Sequence, residues 1–504
     1  MRRIIKSLTN NKKLIIVGII MFFINYFLLL KQNNIYVTRG NNSIFKYIIT
    51  LLIIMHFIVF IVLKKMISKK MPPEKVFLVF GIMFGTLFMF FIPFGYTPDE
   101  ANHFLRSYEI STGNLISIKK ENEVGNYLPT NIEKVISHYE LQDAYKNEKE
   151  NLSIKFNNEK KFYNFANTSL YSFICYLPQS IGIMIGRLLK FPILITAYLG
   201  RILNFSLWIA LIYLAIKKIP IGKNLILFIS MLPMSLQEAV SLAPDAMTNC
   251  VSISLVSFVL YHLYNKNEFD KKNMIIASIL CIAISMLKIV YLPLCLLLIL
   301  IPDSKFKSKK NKYFKICSLA MLVILLNLIW LKISSNFLIE FMPGVDSGKQ
   351  VMYILNHPYS YFSILFNTYE YYSITYMFTM LGSNMEYLNV YVSQPCLLIY
   401  FLFIIYAAMF DTNIVLEKKV KYLFSFVSVC IILLISTSLY VQWTSYMNPE
   451  ILGIQGRYFL PILLPLMLLF SRKFKKNATD FSKIYYYIFA TNCYVVLLLL
   501  YTHI

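Results

Sequence analysis

The chain has 504 residues, 58% of them hydrophobic and 15% charged, against roughly a quarter charged in a soluble domain of this size. Strand-type alternation is absent, which argues against a transmembrane barrel. The net charge of +24 would suit nucleic acid, but the lysines and arginines sit in short clusters between apolar runs. Membrane proteins mark their cytoplasmic face in this way, so nucleic acid is excluded as a partner and the lipid bilayer is expected instead.

The eight cysteines lie in or beside apolar stretches and form no CxxC pair, which argues against a zinc site or a disulfide framework. The bias toward Ile, Lys, Asn, Tyr and Phe suggests an AT-rich bacterial genome. The first apolar run follows Arg2, Arg3, Lys6, Lys12 and Lys13 and reads as a retained anchor rather than a cleaved signal.

Hydrophobic runs predict helices at about 13–30, 46–63 and 76–95, then a polar segment at about 96–165. Further helices are predicted at about 192–216, 223–240, 246–264, 273–287, 289–302, 313–333, 394–410, 419–441, 457–471 and 482–501. The expectation is therefore an all-α polytopic membrane protein with about 13 transmembrane helices, within a range of roughly 11–14, and interfacial helices in the first large outer loop. With that count the clusters around Lys64–Lys75, Lys217–Lys223, Lys266–Lys272, Lys305–Lys315, Lys418–Lys421 and Arg472–Lys476 all fall on the N-terminal, cytoplasmic side. Segment 96–165, with 11 acidic and 9 basic residues, then faces outward. Segment 168–190 is apolar, yet counting it as a span would invert the lysine clusters, so it reads as interfacial or re-entrant. Segment 351–382 is rich in Tyr and Phe and reads as interfacial helices on the outer side. A division into an N-terminal helix pair, 1–70, and a membrane domain, 71–504, follows.

Chemistry is expected first where the outer loop opens, at Thr97-Pro98-Asp99-Glu100-Ala101-Asn102-His103-Phe104-Leu105-Arg106. The structural reading is a capping box, with Thr97 at the N-cap, Pro98 at N1 and Glu100 at N3. Capping needs neither Asp99, His103 nor Arg106, which on such a helix would share one face. Carboxylates beside an imidazole could act as a base or hold a metal. A second acid, Asp245, follows Pro244 between two apolar runs. It reads either as a helix start or as a functional acid deep in apolar sequence, with Glu238 similarly placed. Gln455, Arg457 and the run to Pro461 open another apolar stretch. Arg457 either snorkels or grips a phosphate. Lys288 interrupts an apolar stretch on the side that most lysines avoid, and Arg201 lies inside a predicted span, where Asn204 or a carboxylate could pair with it. His138 reads as a surface residue. His56, His262, His357 and His503 read as structural.

The run Tyr96 to Gly113 resembles the opening motif of a bacterial membrane family catalogued as a domain of unknown function, number 2142. So do Tyr176-Leu177-Pro178-Gln179, Gly200-Arg201-Ile202-Leu203-Asn204, Leu232-Pro233-Met234, Pro244-Asp245-Ala246 and Gln455-Gly456-Arg457-Tyr458-Phe459-Leu460-Pro461. The resemblance spans roughly residues 76–471 in order. That family is similar to the membrane glycosyltransferases of the C-type fold, which take a sugar from a polyprenyl-phosphate carrier and transfer it outside the cytoplasm. The resemblance implies Asp99 or Glu100 as the catalytic carboxylate, with His103 and Asp245 near the site. It implies the cations Arg106, Arg201, Lys288 and Arg457, with Gln455, at the lipid phosphate. A divalent cation, Mg or Mn, could bind Asp99 and Glu100. The expected partners are a polyprenyl-phosphate-linked sugar and an envelope glycan, lipid or protein acceptor, at the bacterial cytoplasmic membrane. Two other readings stay open: a transporter or flippase of a lipid-linked glycan, and a non-catalytic assembly partner.

Overall fold

The computed structural model describes residues 12–36, 42–136, 144–339, 343–387, 389–411, 414–472 and 480–503. His138 lies outside the described residues, as do Arg2, Arg3, Lys6 and the lysines at 473, 475 and 476. Long runs of apolar side chains can satisfy their backbone groups in lipid only by coiling into helices, and helix dominates the chain. Among the described residues, eight helices are long and apolar enough to cross a membrane: Leu14–Lys31, Lys46–Ser68, Pro73–Phe91, Ile193–Lys218, Asp245–Tyr264, Lys309–Phe337, Lys418–Gln442 and Ser482–Thr502. Shorter apolar helices lie at Phe173–Leu188, Ile289–Leu300, Gln394–Phe410 and Gly456–Leu468. The protein is an all-α polytopic membrane protein.

Proline shapes the irregular stretches. The run expected as one helix over 223–240 is two, Lys223–Ser230 and Pro233–Ala239, because Pro233 has no N–H and its ring clashes with the preceding turn. Ile289–Leu300 is a 3₁₀ helix with Pro293 inside it. Gly456–Phe459 is a short 3₁₀ turn that runs into the helix Leu460–Leu468.

The helix ends sort into two sets by what they bond. At one end Lys223 pairs with Glu74 at 3.9 Å. The Asn224 side chain donates to Asp411 Oδ1 at 2.5 Å, and Lys421 Nζ donates to the carbonyls of Leu469 and Ser471. At the same kind of end, Lys305 bonds Asn265 and Lys312 Nζ bonds Asp303 at 2.8 Å. At the other end the residues after Pro73–Phe91 meet the third turn of Ile193–Lys218, the start of Asp245–Tyr264, Lys288, and the start of Gly456–Leu468. Lysine clusters thus gather with lysine clusters, and the acid-bearing motifs gather with one another.

Segment 166–188 forms the short helix Ala166–Ser169, the 3₁₀ turn Phe173–Tyr176 and the helix Leu177–Leu188. That last helix lies close against Ile193–Lys218. A side chain at Gly182 would stand 2.4 Å from the Leu199 carbonyl oxygen, and one at Gly186 would stand 2.6 Å from Thr196 Oγ1. Small residues four apart are what allow such an approach. The Tyr-rich segment forms Ser347–Asn356 and Pro358–Leu381.

The polar segment after Pro73–Phe91 holds the helix Glu100–Ser111 and a three-stranded antiparallel sheet of Ile118–Lys120, Glu123–Pro129 and Lys160–Asn164 in that order. Interfacial helices alone are expected there from the sequence. Strands this short carry too little alternation to stand out from a polar loop. The N-terminal helices Lys12–Tyr36 and Asn42–Ser68 dock on the last helix. Asn25 Nδ2 donates to the Ala490 carbonyl at 2.7 Å and lies 3.2 Å from His56 Nε2.

Candidate active site

The acid-bearing loop differs from the capping box that its sequence suggests. The helix starts at Glu100, not Pro98, and its N-cap is Asp99 in the left-handed region at φ 61°, with no side-chain cap bond. Thr97 Oγ1 is buried without a hydrogen-bond partner among the described residues. A non-glycine residue in this conformation is uncommon, though Asp tolerates it better than most. It turns Asp99 outward while Glu100 points inward: Asp99 is exposed and Glu100 is fully buried. The Asp99 N–H donates to Tyr387 Oη at 3.0 Å. Its carboxylate accepts from Asn167 Nδ2 at 3.3 Å, and Asn102 Nδ2 donates to Asn167 Oδ1 at 2.9 Å.

Glu100 has both oxygens committed. Oε1 accepts from Arg201 Nε at 2.7 Å and the Leu242 N–H at 3.2 Å. Oε2 accepts from Arg201 Nη2 at 2.5 Å and the Gly95 N–H at 2.9 Å. Arg201 also donates to the carbonyls of Ile92 and Pro93. Neither group is open to a ligand, so Arg201 does not fit the expected phosphate role, nor Glu100 the expected role of base or metal ligand. Arg106 is likewise committed to other partners. It is buried among Glu109, Ser117 Oγ and the Leu115 carbonyl, away from the face it is expected to share with Asp99. A metal held by Asp99 and Glu100 does not fit these donors, since only Asp99 keeps an open carboxylate. Among the described residues no group of three or more His, Cys, Asp or Glu is placed to hold a metal.

The remaining residues converge. Asp245 opens the helix Asp245–Tyr264, where the helix dipole favours an anion. Its Oδ1 accepts from Lys288 Nζ at 2.6 Å, with 9% and 12% of the two side chains exposed. Lys288 sits in extended backbone between Lys271–Leu287 and Ile289–Leu300, over the rings of Tyr458 and Tyr171 at 4.9 and 5.8 Å. Arg457 Nη1 donates to Glu238 Oε1 at 3.2 Å. Arg457 Nε and Glu238 Oε2 have no hydrogen-bond partner among the described residues. Arg457 is within electrostatic reach of Asp99 and Asp245. His103 is buried, with Nδ1 2.9 Å from Tyr176 Oη. Burial holds its imidazole down to about 3, the nearby Arg457 and Lys288 adding to this and Asp245 opposing it. His103 is therefore a neutral hydrogen-bonding group at physiological pH and a weak base. Burial pushes the Tyr171 hydroxyl up to about 12. Gln455 is exposed at the start of the Arg457 turn.

Asp99, His103, Asp245, Lys288 and Arg457 thus form one cluster, with Glu238 added. Asn167, Tyr171 and Tyr387 join it without any local sequence signal, since each reaches the acids from a segment distant in sequence. Tyr387 rides on the hairpin Asn384–Met385/Val390–Tyr391. In that hairpin the Glu386 N–H donates to Gln237 Oε1 at 2.8 Å, and the Glu386 carboxylate meets His503 Nε2 at 2.6 Å, both side chains fully buried. Burial raises Glu386 above the usual carboxylate range, against the pull of His503.

A family model described as "Predicted membrane protein (DUF2142)" matches residues 82–466. No curated protein and no solved structure matches the chain.

Proposed function

The chain belongs to the DUF2142 family of predicted membrane proteins, and on that premise we propose that it is a membrane glycosyltransferase. It moves a sugar from a polyprenyl-phosphate carrier to an envelope glycan, lipid or protein on the extracytoplasmic side of a bacterial membrane. The observation that carries this reading is one exposed carboxylate, Asp99, within electrostatic reach of the buried cation Arg457, which in turn reaches the Asp245–Lys288 pair, at the end of the helix bundle away from the lysine clusters. An acceptor hydroxyl needs a base, and Asp99 supplies one, aimed by Asn167. The acceptor oxygen attacks the anomeric carbon and the sugar–phosphate C–O bond breaks. The phosphate leaves with the electron pair, and the hydroxyl proton passes to Asp99. Charge develops on the phosphate, where Lys288 and Arg457 are already oriented by Asp245 and Glu238. Neutral His103 adds a hydrogen bond without a charge. The apolar carrier runs between helices.

A transporter of lipid-linked glycan would place its charged residues at mid-membrane, whereas these lie at helix ends. Purified protein in liposomes, offered a panel of radiolabelled polyprenyl-phosphate hexoses, is expected to pass label to a water-soluble or lipid acceptor. Movement of the intact lipid-linked sugar across the bilayer without transfer would favour the transporter.

A further inference from the structure

We propose that Glu100 and Arg201 are positioning residues for the proposed transfer. Arg201 on Ile193–Lys218 and Glu100 at the start of Glu100–Ser111 together fasten the segment carrying Asp99 to the turn that leads into Asp245, and so hold the two acids in one site. The proposal rests on the glycosyltransferase reading for its catalytic consequence, not for its geometry.

The two acids come from segments far apart in sequence, and each is carried on irregular backbone. Asp99 follows the turn 92–98 and holds a left-handed conformation at φ 61°. Asp245 follows the turn 240–244. Neither turn has a regular ladder to hold it, and both are buried at the clamp. Arg201 binds the first turn through the Ile92 and Pro93 carbonyls at 2.9 and 3.1 Å. Its partner Glu100 binds the same turn through the Gly95 N–H and the second turn through the Leu242 N–H. Two neighbours of Arg201 complete the second attachment. Asn204 Nδ2 donates to the Ser241 carbonyl at 2.8 Å, and Gln179 Nε2 donates to the Leu242 carbonyl at 3.2 Å. At Gly200 a side-chain carbon would stand 2.9 Å from Leu242 Cδ2, so the turn lies directly on the helix. Arg201 and Glu100 are both fully buried. A buried guanidinium with a forked carboxylate partner and fixed carbonyls has one geometry. Such a pair acts as a rigid link, and Asp99 is one residue from it.

Positioning and catalysis predict different losses. A misplaced base loses rate while ground-state binding of the donor persists, and displacements near 1 Å can cost about 100-fold. The test compares wild type with Glu100→Gln, Arg201→Lys and the double variant in lipid nanodiscs. Amide hydrogen exchange is followed over 93–104 and 240–246, and transfer from a radiolabelled polyprenyl-phosphate hexose is timed. Both single variants are expected to speed exchange in both segments together, with the body of the following helix, 247–264, unchanged. They should lower kcat by about 10- to 100-fold with donor KM within about twofold. The double variant should be little worse than either, as for groups acting through one link. Abolished transfer in Glu100→Gln with wild-type exchange would put Glu100 in the reaction itself and overturn the proposal. Loosening of one segment alone in Arg201→Lys would also overturn it.

If a clamp variant fails to fold, Asn204→Ala drops only the bond to Ser241. It is expected to loosen 240–246, leave 93–104 protected and lower kcat about tenfold. A loosened turn with unchanged kcat would overturn the proposal. If wild type transfers no sugar, the function reading fails, while the exchange pattern still decides whether one link holds both turns.

Discussion

A buried charge persists in apolar surroundings only with its partner, and this rule decides the residue scale. Asp245 and Lys288 could each be singled out from sequence because each interrupts an apolar stretch. Their 2.6 Å pairing could not, since 43 residues separate them. Glu100 shows the opposite failure. Beside Asp99 in sequence it is an equal candidate for the base, but a left-handed turn at Asp99 sends the two side chains apart and gives Glu100 to Arg201, 101 residues away. Lys288→Met leaves Asp245 buried and unpaired, which should cost about 3 kcal/mol and lower the thermal midpoint in detergent. Lys288→Met with Asp245→Leu should recover most of that loss. A double variant no more stable than the single would contradict the pairing.

His103 gives a pH dependence with a defined sign. Its folded-state value of about 3 lies below the ordinary 6.5, so the unfolded chain takes up this proton first as pH falls. The stability that depends on neutral His103 is present above about pH 6.5 and lost toward pH 3, at up to about 1.4 kcal/mol per pH unit. The groups facing it are Tyr171, Tyr176, Asp245, Lys288 and Arg457. His103→Gln should therefore flatten the fall in thermal midpoint between pH 6.5 and 4. An unchanged fall would assign the acid sensitivity elsewhere.

At the scale of elements, hydropathy places the long helices within a few residues. The helix expected at about 192–216 is Ile193–Lys218, and that at about 419–441 is Lys418–Gln442. Periodicity fails where proline or a special dihedral intervenes: the break before Pro233, the 3₁₀ helix around Pro293, and the helix start at Glu100. The apolar segment 168–190 was legible as a misfit to the lysine pattern but not as a docked hairpin partner, because that depends on Gly182 and Gly186 meeting one neighbouring helix. Gly182→Ala would force its methyl against the Leu199 carbonyl. It should destabilise by about 1–3 kcal/mol, seen as a lower midpoint in thermal unfolding. Gly113→Ala in the exposed turn, with nothing within 4 Å but φ at 91°, tests backbone strain rather than packing. An equal loss at both positions would count against close helix approach.

On the scale of the whole molecule, the sorting of helix ends carries the account. Lysine clusters that are hundreds of residues apart meet through Glu74, Asn224, Asp411 and the Leu469 and Ser471 carbonyls, and the acids assemble at the opposite ends. Charge counting along the chain anticipated this, since the same bias that orients insertion groups the clusters. In a Cys317→Ser background, Asn114→Cys should react with an impermeant maleimide in intact cells, and Lys307→Cys only after permeabilisation. The reverse pattern would invert the site.

The most direct test of the central claim is sugar transfer by Asp99→Asn in proteoliposomes, with a radiolabelled polyprenyl-phosphate hexose as donor and wild type alongside. Asp99 is exposed, so the variant should fold and bind donor as wild type does while losing transfer by at least about 100-fold. Transfer at the wild-type rate by Asp99→Asn would contradict a base at this position and, with it, the proposed reaction at this site.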